Sequence, residues 1–142
     1  LDVSIEAQIL DIMRDLQESA NMAIMFITHN LGVIASMAEE IVVMYMGKAV
    51  EQGKVLTIFQ NPKHPYTQAL LKSIPKLGKK KKAGERLASI SGMVPDPFHL
   101  PTGCVFHPRC TMFMPGKCDK IEPTWQKVGD EHSVSCLLYE EK

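Results

Sequence analysis

Two groups of residues in this chain of 142 have the types and placement for chemistry. The first is His29, which closes the run Met22-Ala-Ile-Met-Phe-Ile-Thr-His29. A continuous apolar run of that length predicts a strand buried on both faces, and in open α/β sheets the ligand sits beyond the carboxyl ends of the strands. An imidazole delivered there can donate to an anion or orient a water. A capping or surface histidine is the alternative, and position alone leaves the two readings even. The second group is Cys104, Cys110, Cys118 and Cys136, spaced C-x5-C-x7-C-x17-C. This is neither the paired C-x2-C of a zinc ribbon nor a common ferredoxin spacing. Four thiolates in an irregular segment still suit a tetrahedral zinc or an iron–sulfur cluster. Buried free thiols or a disulfide pair are the alternatives. His107 and His132 could substitute as ligands but read more simply as solvated loop histidines.

The elements that must position these residues can be read from periodicity. Ile5, Ile9, Ile12 and Leu16 form one apolar stripe, which predicts a helix over Val3–Ala20 with Asp2 or Ser4 as its cap. The Met22–Thr28 strand comes next, then Asn30 as a good N-cap for a short helix over Leu31–Ala38. Ile41–Met46 reads as a strand, Gly47-Lys48 as a tight turn, and Ala49–Gln52 as the antiparallel return. Val55–Gln60 reads as a short helix stopped by Asn61-Pro62. His64-Pro65-Tyr66-Thr67 opens a further helix through Ser73, with Pro65 in the first turn. This tetrapeptide reads as a helix start that packs Tyr66 under the following linker, without chemistry of its own. Lys76–Arg86, with lysines at 79 to 82, reads as a solvated linker. From Leu87 onward Pro and Gly are frequent, so little apolar surface is expected to be buried through helices or strands. Such a module needs a staple, for which the four cysteines are the candidates.

Formal net charge is zero, but it is unevenly spread. Residues 1–61 hold 3 Lys and Arg against 8 Asp and Glu, residues 62–126 hold 11 against 4, and residues 127–142 hold 2 against 4. The reversal marks a change of module near Pro62. No apolar run is long enough to span a membrane, and no signal-peptide pattern is present. The chain begins at Leu1 inside a helical pattern, as expected of a piece of a longer protein.

Several stretches together resemble a known family. Leu1-Asp2-Val3 before a helix is similar to the end of the D-loop of ABC transporter ATPases. Met25-Phe-Ile-Thr-His29-Asn-Leu-Gly-Val33 is similar to their switch, or H-loop, and Val43–Gly53 to the strand pair after it. Asn61-Pro-Lys-His64-Pro-Tyr-Thr67-Gln-Ala-Leu-Leu71 resembles the signature of the oligopeptide and dipeptide import ATPases, a subfamily that also serves some nickel importers. Pro101-Thr-Gly-Cys104-Val-Phe-His-Pro-Arg-Cys110 resembles their C-terminal cysteine extension.

The resemblance implies an α/β fold: the C-terminal part of a P-loop NTPase (ABC ATPase) domain over 1–61, a His-Pro-Tyr helix and basic linker over 62–86, and a small cysteine-rich extension over 87–142. It implies a part of the ATP-binding, ATP-hydrolysing subunit of an importer of oligopeptides or dipeptides. His29 would be the switch histidine at the γ-phosphate, and Asp2 would lie in the D-loop at the interface of two such subunits. The intact subunit would use ATP and Mg2+. A [4Fe-4S] cluster, with Zn2+ as the alternative, would sit at Cys104, Cys110, Cys118 and Cys136. Its partners would be a second ATP-binding subunit and transmembrane permease subunits, at the cytoplasmic face of the cell membrane.

No Gly-x-x-x-x-Gly-Lys-Ser/Thr phosphate loop, Leu-Ser-Gly-Gly signature or acidic strand end for magnesium occurs in these residues. ATP hydrolysis by this stretch alone is therefore not expected, and neither is native folding without its covering strands. A stand-alone metal-stapled interaction module is the alternative class. Nucleic-acid binding is opposed by zero net charge and a single tryptophan.

Overall fold

A computed structural model describes residues 3–74 and 90–140. Asp2 and the basic linker Lys76–Arg86 lie outside the described residues. The described chain divides into two units, one up to Glu39 and one from Glu40.

The first unit holds α1 (Val3–Ala20) and α2 (Leu31–Met37). Asn30 caps α2 as its sequence predicts: its side-chain oxygen accepts from Gly32 N at 3.0 Å and Val33 N at 3.4 Å. Its amide Nδ2 donates to Glu6 Oε1 at 2.9 Å, which ties α2 to α1. Arg14 on α1 donates to Ser36 O at 3.3 Å, a second tie at the far end of α2. Among its described residues the unit nevertheless has no interior. None of residues 5–39 is buried, and Ile5, Ile9, Ile12 and Leu16 stand exposed as a stripe along α1.

The strand predicted over Met22–Thr28 does not form; these residues have no regular structure. A strand exists only through hydrogen bonds to a neighbour, and no other described segment of this unit is a strand. Met25 is 85% exposed and Ile27 91%.

Among the described residues the second unit is built on one antiparallel sheet of order β1-β2-β4-β3: β1 Glu40–Tyr45, β2 Lys48–Lys54, β3 Trp125–Gly129 and β4 His132–Ser135. β1 and β2 are joined through Met46 and Gly47, both left-handed (φ 49° and 75°). Two such residues match the twist of paired strands. β2 then pairs with β4, so the sheet joins strands from both sides of Pro62. α3 (Val55–Gln60) and α4 (Pro65–Lys72) come after β2. Pro65 opens α4, where its missing N–H costs nothing.

The C-terminal segment is more regular than its proline content suggests, since it supplies β3 and β4 and a 3₁₀ turn at His107–Arg109. Tyr45, Val50, Cys104, Val105, Phe106, Cys118 and Leu137 form one core cluster. Phe106, 1% exposed, packs edge-on to Tyr45 at 5.1 Å and tilted against Tyr66 at 5.4 Å. The described fold is thus a small α/β arrangement with an antiparallel sheet. Among the described residues no helix is long and apolar enough to cross a membrane.

Candidate functional site

His29 follows the irregular segment that stands in place of the predicted strand, and it is exposed. The turn that carries it is fixed locally. Thr28 Oγ1 accepts from Asn30 N at 2.9 Å, and Asn30 in turn caps α2. His29 therefore projects immediately before a helix start, on a backbone held on its C-terminal side. An imidazole so placed can donate to an anion approaching that turn.

The four cysteines come together in the second unit, and all are free thiols. Cys104, Cys118 and Cys136 are buried and Cys110 is half-buried. Cys104 N donates to Cys118 O at 2.9 Å, which joins the first and third cysteine segments. Gly103 permits that approach: its φ is 70°, and a Cβ there would lie 2.5 Å from Cys118 O. Burial pushes the thiols of Cys104, Cys110 and Cys136 up, Cys136 to about 11, and the neighbouring cysteines push in the same direction. Backbone N–H groups oppose the rise: those of Phe106 and His107 at Cys104, of Met112 at Cys110, and of Leu138 at Cys136.

A tetrahedral zinc holds its sulfurs about 2.3 Å from one point. Among the described residues no three His, Cys, Asp or Glu side chains group so as to hold a metal ion. Neither the iron–sulfur cluster expected at these cysteines nor its zinc alternative is supported by this arrangement.

The histidines named as spare ligands have other places. His107 is half-buried; its Nδ1 lies 2.9 Å from Cys104 O, and its ring stacks on Phe113 at 5.5 Å. His132, read as a solvated loop residue, is instead 2% exposed, because β4 carries it into the sheet.

His132 belongs to a polar cluster that sequence reasoning missed. Glu51 on β2, fully buried, accepts from Lys63 N at 2.6 Å and His64 N at 3.0 Å, and His132 Nε2 lies 2.8 Å from its Oε1. His64 is 1% exposed and caps α4: Tyr66 N donates to its Nδ1 at 3.1 Å. Among the described residues its Nε2 has no hydrogen-bond partner, and neither has the buried hydroxyl of Thr67. Burial pulls His64 down to about 4, against the Glu51 carboxylate, which pulls it up. The tetrapeptide at 64–67 thus does build a helix start, and Tyr66 packs on Tyr45 at 4.7 Å. The available signal for the cluster was a lone acidic residue inside the predicted return strand, Glu51.

Comparison with known proteins adds a likeness. Residues 50–118 match the model described as the oligopeptide/dipeptide transporter C-terminal region. A putative peptide import ATP-binding protein of Brucella ovis is 47% identical over 144 residues, covering 99% of this chain and 42% of the relative. A dipeptide transport ATP-binding protein of Escherichia coli is 43% identical over 136 residues, covering 96% of this chain and 40% of the relative. An oligopeptide transport ATP-binding protein of Bacillus subtilis is 44% identical over 144 residues, covering 100% and 42%. The chain spans about two fifths of the length of these relatives.

Proposed function

We propose, from the premise that residues 50–118 carry the C-terminal region of the oligopeptide/dipeptide transporter family, that this chain is the C-terminal part of the ATP-binding subunit of a peptide importer. The observation that carries the reading is identity of 43% to 47% with three peptide-import ATP-binding proteins over nearly the whole chain. In this reading residues 1–61 complete the α/β nucleotide-binding domain. Residues 62–86 form the helix and linker, and residues 87–142 form the extension. The subunit works at the cytoplasmic face of the membrane, paired with a second ATP-binding subunit and with permease subunits. ATP with Mg2+ is its substrate.

His29 is the switch in this mechanism. Phosphoryl transfer is mainly positioning and charge stabilisation, so the protein must supply donors where charge develops. The exposed imidazole donates to the γ-phosphate and orients the attacking water. Its support is the Thr28–Asn30 turn, which holds the backbone on which the ring pivots. Asp2 acts one helix earlier, in the D-loop at the subunit interface, and couples the two ATP sites.

The test is turnover by the intact protein carrying His29→Ala. We expect ATP binding to remain and steady-state hydrolysis to fall by about a hundredfold or more, the usual loss of one transition-state donor. Unchanged hydrolysis would remove His29 from the mechanism. Absence of any ATP binding by the unmutated protein would remove the transporter reading itself.

For the cysteines the same family reading favours a [4Fe-4S] cluster over zinc. What supports it is the likeness to the peptide-import relatives together with four free thiols in one unit, three of them buried. Bound, such a cluster would cross-link the irregular segment; Cys104, Cys110, Cys118 and Cys136 would hold it. Iron and sulfide in anaerobically purified protein are the expected result. One zinc per chain, or no metal with four titratable thiols, would overturn it.

A further inference from the structure

Glu51 and His132, which the proposed function does not use, are among the most deeply buried polar side chains described. The Glu51 carboxylate gathers three donors from two places: Lys63 N and His64 N in the α3–α4 connection, and His132 Nε2 on β4. A buried carboxylate is tolerated only when its donors are present together. Two residues along β2, Gly53 stands opposite His132 in the strand register. A Cβ at that position would lie 2.8 Å from Glu131 O, a backbone atom. Glu51 and Gly53 therefore offer one acceptor and one gap, and the turn at Glu131–His132 fills both.

The strand beyond that turn carries a cysteine at its end. Along β4 the buried positions alternate, His132 and Val134 inward, and Cys136 continues the same face. A slip of one residue would turn all three outward. The geometry points to a latch: Glu51 and Gly53 clasp the Glu131–His132 turn and so set the register in which β4 delivers Cys136 to the other three thiols. Glu51 and His132 are positioning residues for the cysteine cluster, whatever that cluster holds. The latch is independent of the transporter reading.

The test is the rate at which each cysteine reacts with a maleimide, resolved by peptide mass spectrometry. It is made on the intact protein, chelated and fully reduced, under native conditions. With Glu51→Gln we expect Cys136 to react about tenfold faster or more, since a buried hydrogen bond to a charged group is lost. Cys110 and Cys118, which do not ride on β4, stay within about twofold of their original rates. His132→Gln, which keeps a side-chain N–H for Glu51, stays near the unmutated rate at Cys136, while His132→Leu matches Glu51→Gln. Should Glu51→Gln fail to fold, the two His132 variants carry the same comparison. The latch is overturned if Cys136 is unmoved in His132→Leu. It is overturned equally if all four thiols speed up together, or if His132→Gln is no better than His132→Leu.

Discussion

Ile9 and Ile58 are the same residue on two helices, with opposite fates. Ile58, on α3 of the second unit, is fully buried; Ile9, on α1 of the first, is 44% exposed. The second unit closes its own core, with Tyr45, Val50 and Phe106 packed against segments from far along the chain. The first has two helices, an extended apolar segment and, among its described residues, no interior. Local signals suffice to make a helix and its cap, whereas a core needs long-range partners. In the transporter reading the rest of the nucleotide-binding domain supplies the cover for α1 and the neighbours for residues 22–28. His29 then sits in the unit that depends on others, and the cysteines in the unit that does not.

The strongest way to break this contrast is to empty the second unit's core. Phe106→Ala removes a ring that touches Tyr45, Tyr66 and His64, and should cost about 3–5 kcal/mol by denaturant titration. A cost under about 1 kcal/mol would mean that this core is not what holds the unit. Acid comes next. His64 is held neutral, at about 4 against the ordinary 6.5, so the unfolded chain takes up its proton first as pH falls. Its contribution is full above about pH 6.5 and is lost progressively toward pH 4, about 3 kcal/mol in all. His64→Asn keeps a capping oxygen and should flatten this part of the melting temperature against pH; an unchanged slope would contradict the assignment to His64.

Gly53→Ala should cost about 1–3 kcal/mol, because the new methyl meets backbone rather than a movable side chain. Asn30→Ala should cost α2 about 1 kcal/mol, read in the intact protein as hydrogen-exchange protection lost from residues 31–37. The smallest effect sharpens the contrast most. Ile12→Ala should change the stability of this 142-residue chain by no more than about 0.5 kcal/mol, since the side chain is already 58% exposed. On the transporter reading, in which the rest of the nucleotide-binding domain covers this face, the cost in the intact subunit should rise to about 2–5 kcal/mol.

The helices and the first hairpin were legible because their signals are local. The α1 stripe, the Asn30 cap, and Pro62 and Pro65 each act within a few residues, and the observed limits fall close to those expected; the tight turn expected at Gly47-Lys48 forms one residue earlier, at Met46-Gly47. Met22–Thr28 misled for the opposite reason: its composition is that of a buried strand, but a strand needs a paired neighbour, and no described segment of this unit is a strand. The β3–β4 hairpin was illegible because Trp125–Gly129 and His132–Ser135 are short and mostly polar, and lie among prolines and glycines. Their stability comes from β2, more than seventy residues earlier. His132 was misread with them, since a histidine between polar neighbours shows its burial only once Glu51 is seen opposite. That the cysteines share one unit was legible from their positions in the chain, but the metal-holding group expected of them does not form among the described residues.

Residues 3–39, on this view, await a nucleotide-binding partner surface, while the second unit stands alone. Amide hydrogen exchange, on this chain by itself and within the intact protein with and without ATP, tests that contrast most directly. Strong protection is expected at Val50, Ile58 and Val134 in every sample. Protection of residues 22–38 is expected only in the intact protein, rising again on ATP addition around His29. Equal protection of both units in the isolated chain, or an intact protein whose residues 22–38 ignore ATP, would contradict it.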